Sequence, residues 1–250
     1  MPGGYILCGT PRSGSTLLCG LLTATGRMGA PDSFFRRQIL TWWAQEWGLP
    51  EAPTQAARGI DAAYLAAAIR EGKAGTPLFG LRLMQENLVD LCGALGRLHP
   101  EAASDRARLE TAFSPLLFIH LSRADKVAQA VSRVRAEQTG LWHVAPDGTE
   151  VERLAPPQPP HYDFARLQRE VTALVQAEAA WQEWFEAEGI APLRIGYEAL
   201  SADPAAALRL ICAALDVTPP AAEAIRPGVA RLADGLSAAW IERYRAEAAG

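Results

Sequence analysis

One stretch near the N-terminus, Tyr5-Ile6-Leu7-Cys8-Gly9-Thr10-Pro11-Arg12-Ser13-Gly14-Ser15-Thr16-Leu17-Leu18, limits the possible folds more than anything else in the 250-residue chain. Its apolar run is too short for a helix and stops at Gly9 and Pro11, so it reads as a buried strand running into a tight turn. A helix is expected at once, because Leu17, Leu18, Leu21 and Leu22 recur at helical spacing and Ser13, Ser15 and Thr16 are placed to cap the first turn. A strand, a glycine-bearing loop and a helix N-terminus aim several backbone N–H groups at one spot, where the helix dipole also favours negative charge. Phosphate binding is the expected use of that spot.

The spacing from Gly9 to Gly14 to Ser15-Thr16 copies the phosphate loop G-x-x-x-x-G-K-[ST], except that Ser15 stands where the lysine belongs. That lysine reaches the β- and γ-phosphates, so its loss argues against transfer of a terminal phosphate from a nucleoside triphosphate. Arg12 supplies a cation earlier in the loop. The rest of the chain offers no general anion surface: a net charge of −4 and a pI near 5.7 give no basic footprint for nucleic acid or an anionic membrane. Cys8, Cys19, Cys92 and Cys212 are scattered without metal-ligand spacing, which fits small apolar residues in a reducing compartment and no bound metal. No secretory signal and no bilayer span are expected, so the setting reads as cytoplasmic.

Further strands are predicted at 78–84, 115–121 and 193–197, and helices at 33–47, 61–70, 86–98, 104–113, 126–138 and 161–189, with another opening at Pro204. Strands alternating with helices predict an α/β domain spanning 1–250: a P-loop-like parallel β-sheet flanked by helices on both faces, with ligands beyond the carboxyl ends of the strands. The aromatic side chains of the 33–47 segment are expected to pack in the core, with a wall for a sugar as the other use. The proline-rich stretch 146–161 reads as a loop able to cover the site, and the long helix after it as scaffold, with room for a homodimer contact.

Pro11-Arg12-Ser13-Gly14-Ser15-Thr16 resembles the 5′-phosphosulfate loop of sulfotransferases, and the whole chain looks most like the bacterial trehalose-type sulfotransferases. The resemblance implies 3′-phosphoadenosine 5′-phosphosulfate (PAPS) as co-substrate, no metal, and a small sugar or glycolipid hydroxyl as acceptor. Arg12, Ser13, Gly14, Ser15 and Thr16 would hold the 5′-phosphosulfate. Arg123, just after a strand, and Ser132 on the next helix would hold the 3′-phosphate, and Arg231 in the C-terminal segment would close over the nucleotide. Arg82 stands where the family has a lysine. In Gly29-Ala30-Pro31-Asp32-Ser33-Phe34-Phe35 the family's glutamate, taken as its general base, is absent, which leaves Asp32 as the carboxylate of that stretch. His143, in Leu141-Trp142-His143, is the second candidate base because an imidazole titrates near neutrality. Two other readings stay open at this point, a phosphate-loop kinase with a shifted lysine and a non-catalytic relative that binds PAPS or its desulfated product.

Overall fold

β1, Gly4–Gly9, is buried along its whole length, because parallel neighbours flank it on both sides and helices cover both of its faces. A computed structural model describes residues 2–50, 59–221, 225–230 and 232–250. From β1 the chain runs through α1 (Ser15–Ala24), α2 (Leu40–Glu46), α3 (Ala62–Lys73), β2 (Phe79–Met84), α4 (Leu88–Leu98), α5 (Asp105–Phe113), β3 (Leu116–Ser122) and α6 (Lys126–Thr139). It continues with β4 (Leu141–Val144), β5 (Glu150–Arg153), α7 (Phe164–Ala187), β6 (Leu193–Gly196), α8 (Tyr197–Ala202), α9 (Pro204–Ala214) and α10 (Gly235–Ala248).

The main sheet is parallel, in the order β2-β1-β3-β6, so the chain moves to one side of β1 and then crosses to the other. That reversal opens a crevice beyond the carboxyl ends of β1 and β3. Alternate residues of β1 feed two cores. Ile6 and Cys8 face Leu91, Phe113 and Trp181, whereas Tyr5 and Leu7 face Leu18, Leu22, Leu208 and Ile211. A third cluster, with Val131, Val134, Leu174 and Trp240, holds α6 against α7 and α10 outside the sheet. Local capping agrees with the sequence in several places: Asp61, Ser104, Asp125, Asp163, Asp203 and Asp234 each accept a first-turn amide.

Two expectations fail. The helix predicted over 33–47 begins as a turn and a 3₁₀ segment, Arg37–Ile39, and becomes α-helical only at Leu40. Asp32 is drawn into a parallel bridge with Leu81 at the sheet edge, which keeps the chain extended, and Phe34 and Phe35 are pulled into the core. Trp43 and Trp47 stack at 5.1 Å on that core, and none of these rings lines the crevice, so they pack rather than form a sugar wall. The second failure is the stretch read as a loop over 146–161, part of which forms β5, paired antiparallel with β4. Pro146-Asp147-Gly148 is the turn between them, with Gly148 at φ 88°.

All four cysteines are buried and unpaired. Burial pushes the Cys19 thiol up to about 12 and raises the other three as well. In the native chain the thiols are therefore expected to be inert to a chromogenic disulfide reagent at neutral pH, and all to react once denaturant is added. Rapid labelling of the native chain would contradict their place in the core.

Candidate functional site

Each strand end of the main sheet delivers a residue to the crevice: Arg12 after β1, Arg82 near the end of β2, Arg123 directly after β3 and Tyr197 after β6. The loop after β1 is fastened from two directions. Trp181 Nε1 donates to Gly9 O at 2.9 Å, and the fully buried Gln129 of α6 donates through Nε2 to Thr10 Oγ1 at 2.8 Å and Pro11 O at 2.7 Å. These bonds set the loop against α6, the helix that carries Ser132.

Arg12 adopts φ 64°, a left-handed conformation uncommon outside glycine. From there its Nε donates to Ser132 Oγ at 3.0 Å, while Nη1 donates to Trp142 O at 2.8 Å and lies 3.3 Å from His143 Nε2. Gly14 has φ 92°, and a Cβ at that position would come within 2.7 Å of the Tyr197 ring. Glycine is thus required twice over, by conformation and by space. α1 then starts with no side chain on its first-turn amides. The serine and threonine capping read from the sequence does not form, because Gly14 holds the cap position and Thr16 Oγ1 instead accepts from Arg82 Nη1 at 3.1 Å. Ser13 in the loop and Ser15 at the first position of α1 are both buried.

Arg123 is also buried. Its guanidinium lies 4.4 Å from the centre of the Tyr197 ring, and Nη1 donates to Arg12 O at 3.4 Å. Burial and the neighbouring Arg123 charge both push the pKa of Arg12 downward, with Glu152 opposing them. Two cations held out of water and close together disfavour each other, and an incoming polyanion relieves that repulsion. The remaining fork of Arg82 is occupied within the protein: Nε donates to Ser33 Oγ at 2.8 Å and Nη2 to Asp32 Oδ1 at 2.6 Å. Asp32 Oδ1 also accepts from Ser33 N at 2.6 Å, and its half-exposed carboxylate is not part of the crevice lining.

Across the crevice, His143 on β4 lies opposite Glu152 on β5, and its Nδ1 is 2.6 Å from Glu152 Oε2. This contact holds the Glu152 carboxyl below the usual range against the effect of burial, helped by the charges of His143, Arg82 and Arg36. The walls enclose a cavity of about 850 Å³ that contains Arg12, Thr16, Arg82, Arg123, Ser132 and His143 together. Arg231 lies outside the described residues. Among those described, no group of three or more His, Cys, Asp or Glu is arranged to hold a metal ion, and no helix is long and apolar enough to cross a membrane.

A lysine-free phosphate loop, an uncapped helix N-terminus and paired arginines meet at the switch point of the parallel sheet, an arrangement suited to binding an anion. Residues 4–247 match the profile of the Stf0 sulphotransferase family. The chain belongs to that family. Trehalose 2-sulfotransferase of Mycobacterium tuberculosis (strain ATCC 35801 / TMC 107 / Erdman) is 29% identical across 98% of this chain and 95% of the relative. The protein of the same name from Mycolicibacterium smegmatis is 29% identical across 99% and 96%. Among solved structures, the sulfotransferase domain of the Synechococcus PCC 7002 olefin synthase aligns with 98% of this chain and 89% of its own length, at a TM-score of 0.45 and 16% identity.

Three residues that line this crevice or fasten its loop in this Stf0 family member escaped the sequence. Gln129, on α6, and Tyr197, after β6, were not among the expected site residues. Glu152 was hidden because its strand was read as loop. The Pro-Asp-Gly turn between two short runs was the available signal, since a hairpin around it sets Glu152 against His143.

Proposed function

We propose that this chain transfers the sulfuryl group of PAPS to a hydroxyl of a carbohydrate or glycolipid acceptor. The observation that carries this reading is the meeting of Arg12, Arg123 and the uncapped N-terminus of α1 in one cavity, which suits a donor with negative charge at two places. The cavity volume, about 850 Å³, lies within the range of small-molecule sites and leaves room for a sugar beside a nucleotide.

Bound PAPS supplies an activated sulfuryl group; the residues described here hold and polarise it. Arg12 and the backbone of residues 13–16 bind the 5′-phosphosulfate and stabilise the charge that builds on the leaving oxygen. Arg123 and Ser132 bind the 3′-phosphate. Arg82 brings a further cation to Thr16 at the sulfuryl end, and Asp32 holds Arg82 in place through the 2.6 Å ion pair. With its fork already engaged, Arg82 acts at a fixed angle, as a flexible lysine would not. Trehalose is the first acceptor to try, because both relatives are named for it. The unpaired thiols support a reducing setting, and we assign the reaction to the cytoplasm.

Calorimetry with adenosine 3′,5′-bisphosphate against ATP tests the donor. The bisphosphate is expected to bind at least about tenfold more tightly, a difference of roughly 1.4 kcal/mol. Preference for ATP would return the site to the kinase reading. Transfer of labelled sulfur from PAPS to trehalose, glucose, maltose and sucrose tests the reaction, and binding without transfer to any sugar would make the chain a nucleotide binder.

A further inference from the structure

We infer that His143 and Glu152 form a dyad that removes the acceptor proton, with His143 Nε2 as the base and Glu152 as the residue that positions it. The inference rests on the sulfuryl-transfer reading above and assigns its proton.

The tautomer follows from the hydrogen bonds. A guanidinium only donates, so His143 Nε2, 3.3 Å from Arg12 Nη1, presents its lone pair. The ring proton is then on Nδ1 and is donated to Glu152 Oε2 at 2.6 Å. The imidazole thus keeps Nε2 unprotonated, with its lone pair held by Arg12, and is tethered from behind by a carboxylate. The hairpin that carries both residues is pinned to its surroundings: Ala230 N donates to Val144 O at 2.8 Å, Leu154 N to Gly140 O at 2.8 Å, and Arg153 Nη1 to Thr139 O at 2.7 Å. Other acids are engaged elsewhere. Asp32 is bound to Arg82, Glu137 to Arg133 and Arg166, and Asp234 to Arg135. Glu86 lines the cavity but is exposed at its edge.

In the step, Arg12 Nη1 turns from His143 to the phosphosulfate, which frees the single lone pair of Nε2, and the acceptor oxygen gives its proton to Nε2 as it forms a bond to sulfur. The bond between sulfur and the bridging oxygen of the phosphosulfate breaks, and its electron pair stays on that oxygen. Glu152 balances the imidazolium, which afterwards loses its proton to solvent. The charged groups facing the pair are Arg12 from the loop after β1, Arg82 from β2 and Arg36 ahead of the 3₁₀ segment.

The test uses PAPS and whichever sugar of the panel is turned over. His143→Ala is expected to lower kcat by about a hundredfold or more, to leave the KM for PAPS within about threefold, and to regain rate with added imidazole. Glu152→Gln is expected to lower kcat and to move the acidic limb of the kcat/KM profile to lower pH, because the imidazolium loses the carboxylate that stabilises it. A residue that merely supported the hairpin would lower the rate and leave that limb where it was. Unchanged kcat in His143→Ala, or an unmoved acidic limb in Glu152→Gln, would overturn the dyad while the calorimetric preference for the bisphosphate stood. A wild-type chain that fails to bind the bisphosphate would overturn the nucleotide reading, and the dyad with it.

Discussion

Arg12→Ala is expected to bring sulfuryl transfer to background, with kcat down by about a thousandfold or more. Loss of a single preorganised donor to a developing negative charge accounts for most of that figure. More is lost here because the same guanidinium ties the loop to Ser132, to the carbonyl of Trp142 and to His143. Truncation therefore removes the charge and also loosens the hairpin wall against α6. The fold does not depend on it, since β1 and α1 are held by the two apolar cores and the loop by Gln129 and Trp181. Single-turnover transfer from PAPS is the measurement, alongside thermal unfolding to show that the variant is native. Arg12→Lys is the informative companion: it keeps the charge but cannot serve Ser132 and the carbonyl of Trp142 from one planar fork. It should recover part of the rate and not all of it. A kcat within tenfold of wild type in Arg12→Ala would show that the charge on the leaving oxygen is met by something else.

The same residues show what could be read in advance and what could not. A buried strand, a glycine loop and a leucine-striped helix are local patterns, and the structure has them where the sequence put them, as it does the helices opened by Ser104 and Asp125. The alternation of elements was enough to imply a parallel sheet with its ligand edge beyond β1 and β3. The start of α2 was not legible, because helical spacing from Phe34 to Trp47 is overridden by the bridge of Asp32 to Leu81, a contact across 49 residues of chain. Capping of α1 was misread for a related reason: Thr16 is claimed by Arg82, which only the folded sheet brings near. Partner choice is the part of a site that sequence conceals. That Arg82 pairs with Asp32, and that His143 meets Glu152 rather than bulk water, depends on which element lies beside which.

Arg123→Ala is expected to weaken adenosine 3′,5′-bisphosphate binding by about a hundredfold, roughly 2.7 kcal/mol, and to change kcat at saturating PAPS far less. The asymmetry with Arg12 follows from position. Arg123 sits at the end of β3, at the far side of the loop from Arg82, and touches the machinery through Arg12 O at 3.4 Å and the Tyr197 ring at 4.4 Å. A buried guanidinium in that place acts on a ligand charge that is the same before and after transfer, so its energy appears in affinity rather than in rate. The discriminating comparison is with adenosine 5′-monophosphate, which lacks the 3′-phosphate. In the wild type the bisphosphate should bind far more tightly than the monophosphate, and in Arg123→Ala most of that gap should vanish through loss of bisphosphate affinity alone. Equal weakening of both ligands would mean that Arg123 supports the loop through the carbonyl of Arg12 and does not grip the 3′-phosphate. Since Ser132 lies within 3.0 Å of Arg12 Nε, Ser132→Ala in the Arg123→Ala background separates these cases: coupling between the two should appear for the bisphosphate and not for the monophosphate.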